Sequence, residues 1–120
     1  MPSDSPTFPI LSQDIMDTLR HEIGEETFYE ALIAFIEEID DSLNEIQQTS
    51  DMSQLVTHAH SLKSSARMFG AMALAETAFE LEKAARAQDS EYCQTILPRL
   101  VTHCENTQTL LQDISQSSRV

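Results

Sequence analysis

The 120-residue chain has little glycine, little positive charge and no long apolar run. Its two glycines, Gly24 and Gly70, cannot supply a GxGxxG or GxxxxGK[ST] loop, so neither usual phosphate-cradling turn for a nucleotide is available. Seven Lys and Arg stand against 20 Asp and Glu, a formal charge of −13, which argues against DNA or RNA as a partner. No stretch approaches the ~18 apolar residues of a membrane span. The N-terminus MPSDSPTFPI lacks the basic and apolar segments of a signal peptide. A cytoplasmic chain with no membrane contact is expected. Cys93 and Cys104 have no CxxC spacing and read as free, mostly buried thiols. At this length a single domain with its own core is expected.

What charge there is lies unevenly. Residues 1–57 hold thirteen acids and one base, Arg20, for a net −12. Residues 58–88 hold Lys63, Arg67, Lys83 and Arg86 against Glu76, Glu80 and Glu82, for a net +1. One window of an acidic protein is locally basic.

The chain reads as helices throughout. Residues 1–10 carry three of the four prolines and read as a flexible tail or docking arm, with one helical domain over 11–120. Ser12 is a candidate N-cap for a short first helix with Ile15, Leu19 and Ile23 on one face, ending at Gly24. A second helix over about 25–48 carries Phe28, Leu32, Phe35, Ile36, Ile39, Leu43 and Ile46 in steps of three and four. Asp51 with Gln54 resembles a capping box, and the third helix carries Met52, Leu55, Ala59, Leu62, Ala66 and Phe69 up to Gly70. A fourth helix spans about 71–88, residues 87–90 form a turn, and a fifth helix spans about 91–116. Pro98 is expected to kink the fifth helix or split off its first turn. No segment alternates with period two. Short loops between amphipathic helices imply an all-α, antiparallel up-down four-helix bundle with an additional short N-terminal helix.

The chemistry points to histidine. None of His21, His58, His60 and His103 follows a glutamate at +3, so the ExxH pattern of di-iron bundles is missing, as is HExxH. His58 and His60 point about 200° apart on one helix and cannot share a metal, so no metal site is expected. His60 lies at the border of the buried stripe, with Lys63, Ser64 and Arg67 at +3, +4 and +7 on its own face. An unperturbed imidazole titrates near ~6.5, is largely neutral at pH 7 and can attack phosphorus. Phosphoryl transfer is mostly positioning plus neutralisation of equatorial oxygens, and an exposed Lys63 one turn away could supply that charge. A small residue at 64 leaves room for an incoming carboxylate. The bland alternative is a boundary histidine beside ordinary solvated cations. His58 has Ser61, Leu62 and Ser65 on its side and no cation, and His21 and His103 show no constellation.

The stretch Ala59-His60-Ser61-Leu62-Lys63-Ser64-Ser65-Ala66-Arg67-Met68-Phe69-Gly70-Ala71 resembles the signature of histidine-containing phosphotransfer (HPt) domains. That signature is a histidine, an apolar residue at +2, Lys at +3, small residues from +4 and Gly at +10. Leu81-Glu82-Lys83-Ala84-Ala85-Arg86 resembles the family's next helix, and the likeness covers about residues 11–116. HSLKSSARMFGA is also similar to the stand-alone LuxU-type proteins of bacterial quorum-sensing relays. The resemblance implies a phosphoryl carrier of a two-component phosphorelay, without ATP binding or autokinase activity. His60 would take phosphate from a receiver-domain phosphoaspartate and pass it to another receiver, and Lys63 would stabilise the phosphoryl oxygens. Its partners would be receiver domains of a hybrid sensor kinase and of a response regulator. Mg²⁺ would sit only on the receiver, no cofactor on this chain, and the protein would be a monomer. Two positions depart from the common pattern. Ser64 stands where Gly is usual, and Glu82 where many relatives have Gln; if Glu82 reaches His60 it could orient the ring, and it would also repel phosphate. Arg67 would support the site and Gly70 would end its helix. Docking residues expected around the site are Ile15, Met16, Leu19, Phe28, Val56 and Met68. Two rivals differ in kind. A sensor-kinase hairpin has an acid directly after its histidine and a proline five or six residues on, where this chain has Ser61, Ser65 and Ala66. A non-catalytic acidic bundle acting as an adaptor needs no histidine at all.

Overall fold

A computed structural model describes residues 8–117 of the chain. They form five helices and, among the described residues, no strand: α1 (Gln13–Ile23), α2 (Glu25–Gln48), α3 (Met52–Phe69), α4 (Met72–Arg86) and α5 (Ser90–Ser117). Most of the 1–10 tail, residues 1–7, lies outside the described residues. Pro9 is tied to the bundle, since its carbonyl accepts the Ala73 N–H at 2.9 Å.

Local signals set the helix ends. Ser12 Oγ accepts the Ile15 N–H at 3.3 Å, satisfying one orphan donor of α1. Asp51 Oδ1 accepts the N–H groups of Ser53 and Gln54 at the start of α3. Only half of the anticipated capping box forms there. Gln54 Oε1 accepts from Thr49 Oγ1, and that hydroxyl in turn accepts the Asp51 N–H. The turn between α4 and α5 is shorter than the sequence suggests. Gln88 takes φ 55° and ends α4 at Arg86, and Asp89 Oδ1 accepts the Tyr92 N–H as α5 begins. Of the two expected outcomes at Pro98, a kink or a split-off first turn, the split does not occur: α5 runs unbroken through it. Proline removes the donor for the Gln94 carbonyl, but both residues are exposed, so water can replace it.

α3 packs on α4, α4 on α5, α5 on α2 and α2 on α3, which closes a ring, and α1 rests on α2 and α3. The apolar stripes of α2 and α3 meet the apolar faces of α4 and α5 inside it, whereas Ile23 of the α1 stripe stays exposed. Phe28, Leu32, Ile39, Leu62, Leu74, Leu81, Ile96, Leu100 and Leu111 are completely buried. Phe35 stacks on Phe69 with centroids 4.8 Å apart. Where α4 faces its neighbours it presents Ala75, Ala78 and Ala85, all buried, so the backbones of α3 and α4 can approach closely. Gly70 joins them in the left-handed region at φ 77°, which glycine enters without steric cost. A Cβ there would stand 3.0 Å from both Ile15 Cβ and the Ser12 carbonyl, while the Gly70 carbonyl accepts the Ser12 N–H at 2.8 Å. The same glycine therefore ends α3 and seats α1.

Candidate functional site

The site lies where one face of α3 meets one face of α4. Helical spacing alone puts His60, Lys63, Ser64 and Arg67 on the α3 strip. Packing brings Phe79, Glu82, Lys83 and Arg86 of α4 against it. Glu82 is the hub. Its side chain is 5% exposed, and its Oε1 accepts from Lys63 Nζ at 2.7 Å. Its Oε2 lies 3.1 Å from His60 Nδ1 and accepts from Arg86 Nη2 at 2.8 Å. Burial pushes the Glu82 carboxyl up, but hydrogen bonds from Lys63, Arg86 and His60 outweigh it and hold the group at about 2. At neutral pH Glu82 is ionised and can only accept. Nδ1 of His60 therefore donates to it, and in the neutral ring the lone pair is on Nε2. The His60 side chain is 55% exposed, so that lone pair is open to a partner.

Lys63 departs from expectation. It is buried, at 9% residue exposure, because α4 covers it, and its ammonium is pinned by Glu82. Ser64 is exposed and small as anticipated, and its hydroxyl donates to the His60 carbonyl at 3.1 Å, leaving the ring unobstructed. Arg67 is exposed and rests on the Phe79 ring. Glu82, Lys63 and His60 are brought together; Arg86 and Phe79 complete the cluster and were missed. Spacing carried a weak signal for both, since Glu82–Arg86 and Phe79–Lys83 are i,i+4 pairs.

The other histidines stand apart from this cluster. His58 Nε2 faces Glu45 across 3.9 Å. His21 is exposed on α1. His103 is half-buried on α5 with Nδ1 unpartnered, and burial lowers its pKa. Among the described residues no three His, Cys, Asp or Glu side chains are placed to hold a metal ion. Both cysteines are free and buried, and burial pushes Cys104 up to about 12.

The docking residues divide. Met16 (3%) and Phe28 (0%) are core residues and cannot meet a partner. Phe28 sits edge-on to Tyr29 and beneath the Arg20 guanidinium, which seals that end of α2. Ile15, Leu19 and Met68 line one surface groove with Asp14, Thr18 and Glu22. Val56 lines a second groove with Met52, Ala85 and Arg86. The two grooves flank His60 along α3: Met52 and Val56 precede it by eight and four residues, and Met68 follows it by eight. No described helix is long and apolar enough to cross a membrane.

Comparison with known proteins bears on the family and the fold. Residues 26–117 match the Hpt domain family. The phosphorelay protein LuxU of Vibrio harveyi is 36% identical over 81 residues, covering 65% of this chain and 71% of that protein. The crystal structure of histidine-containing phosphotransfer protein B from Pseudomonas aeruginosa superposes with a TM-score of 0.85 at 22% identity, over 92% of this chain and 98% of that one. A putative histidine-containing phosphotransfer protein from rice gives 0.78 at 17% identity, over 92% and 85%. At these identities the two structures speak for the fold alone.

Proposed function

The chain belongs to the Hpt domain family, as a histidine phosphotransfer protein of a two-component phosphorelay, and we propose that its phosphoacceptor is His60. The observation that supports this choice is the contact of His60 Nδ1 with buried, ionised Glu82 beside an otherwise exposed ring. In the forward step Nε2 attacks the phosphorus of a receiver's phosphoaspartate. The N–P bond forms as the P–O bond to the aspartate breaks, and the aspartate leaves as a carboxylate. The phosphorylated ring is an imidazolium that keeps its Nδ1–H, and Glu82 faces that N–H. A second receiver's aspartate reverses the step and restores the neutral imidazole. Lys63, held one turn from His60, offsets charge on the phosphoryl oxygens, and Ser64 gives the incoming carboxylate space.

The finer parts of the reading follow. The helix ring is an antiparallel up-down four-helix bundle with α1 laid against it. The partners are receiver domains of a hybrid sensor kinase and of a response regulator, which supply the Mg²⁺. The exposed or half-buried Ile15, Leu19 and Met68 on one side of His60 and Val56 on the other form the apolar surfaces that dock them. The protein works in the cytoplasm as a monomer and carries phosphate without binding ATP. Incubating a phosphorylated receiver with wild type, His60→Gln and His58→Gln tests the core of this. Acid-labile, base-stable label is expected on wild type and His58→Gln and absent from His60→Gln. Label on His60→Gln but not on His58→Gln would move the site. Labelling by ATP and Mg²⁺ alone would overturn the carrier reading.

A further inference from the structure

We propose that Phe79 is a positioning residue for this site: its ring gathers Lys63, Arg67 and Lys83 into one cationic cluster beside His60, which meets the acidic pocket of a partner receiver. The inference rests on the reading of His60 as phosphoacceptor. Lys83 Nζ lies 4.4 Å from the ring centroid, Lys63 Nζ 5.1 Å, and the Arg67 guanidinium carbon 5.6 Å. Three like charges around one point repel each other, and the negative face of a ring within ~6 Å is what draws them in. Lys63 also has Glu82. Among the described residues no carboxylate pairs with Arg67 or Lys83, and both are exposed. Glu80, the next acid on α4, is turned away and engaged by Arg99 and Tyr92. The cluster therefore stands beside His60 with positive charge left over, in a protein whose net charge is −13. An approaching acidic pocket or phosphoryl group neutralises it.

Phe79 is well placed for this. Lys83 follows it by one turn on α4, and Lys63 and Arg67 are one turn apart on α3, so two helix faces converge on a single half-buried ring. An uncharged residue thus decides where the charges stand.

The test is the initial rate of transfer from a phosphorylated receiver to wild type, Phe79→Leu, Phe79→Tyr, Lys83→Gln and the Phe79→Leu/Lys83→Gln double variant. Phe79→Leu removes the ring and alters no charge. We expect it and Lys83→Gln each to slow transfer about three- to ten-fold, and Phe79→Tyr to stay within about two-fold of wild type. The double variant is expected to be no slower than the slower single variant, because both act through one contact. A wild-type rate for Phe79→Leu, a Phe79→Tyr as slow as Phe79→Leu, or single effects that multiply would each overturn the proposal. Should Phe79→Leu fail to fold, exposed Lys83→Gln decides, and an unchanged rate there overturns it. A wild type that takes no label overturns the phosphoacceptor reading itself, whereas a labelled wild type with indifferent Phe79 and Lys83 variants removes only the role of Phe79.

Discussion

Glu80 and Glu82 are two residues apart on α4, and each gathers partners, yet they do different work. Glu82 faces α3 with a side chain 5% exposed, and it holds Lys63, Arg86 and His60 at once. Glu80 faces α5 at 24% exposure and takes Arg99 at 3.2 Å and the Tyr92 hydroxyl at 3.2 Å. Its hydrogen bond raises the pKa of an already permanent cation, Arg99, which changes nothing at working pH. The same chemical group fastens two helices on one side and orients an imidazole on the other. Burial makes the difference. Water screens the Glu80 pair, so its contribution is small. Lys63 has been taken out of water, and Glu82 is the counter-charge beside it.

The contrast can be broken at several levels. The largest effect is expected from Glu82→Ala, which leaves the Lys63 ammonium buried without its counter-charge. We expect a loss of about 3 kcal/mol in urea unfolding, while Glu80→Ala costs under about 1 kcal/mol. Equal losses would show that the two sites are energetically alike. Next comes acid. The Glu82 carboxyl is depressed from an ordinary 4.5 to about 2, so its stabilisation is full above the unfolded value and is lost as pH falls between those values. That swing amounts to about 3 kcal/mol at most. A urea titration at several pH values should show it for wild type and not for Glu82→Gln, and an identical slope in both would sever the link to this group. The smallest effect is expected from Arg99→Gln: under about 1 kcal/mol, shrinking in high salt, with transfer to His60 unchanged. A slowed transfer would join the two clusters that the structure keeps apart.

Part of this site was legible in one strip of sequence. His60, Lys63, Ser64 and Arg67 share a face because helical geometry is local, and the ends of α3 are written in Asp51 and Gly70. The resemblance points to Glu82, but its reach to His60 cannot be read from spacing, since 22 residues separate them. The misplacements have the same origin. Lys63 lies on an exposed-looking strip until α4 covers it. Met16 and Phe28 look available for docking until α1 closes onto α2 and α3.

The order of helices and the strip bearing His60 were thus determined by sequence alone, because helical periodicity depends on neighbours within a few residues. The tertiary structure decided which carboxylate holds the imidazole, which lysine loses its water and which ring collects the cations. Those depend on how α4 lies against α3, contacts between residues about twenty positions apart that helical spacing does not reach.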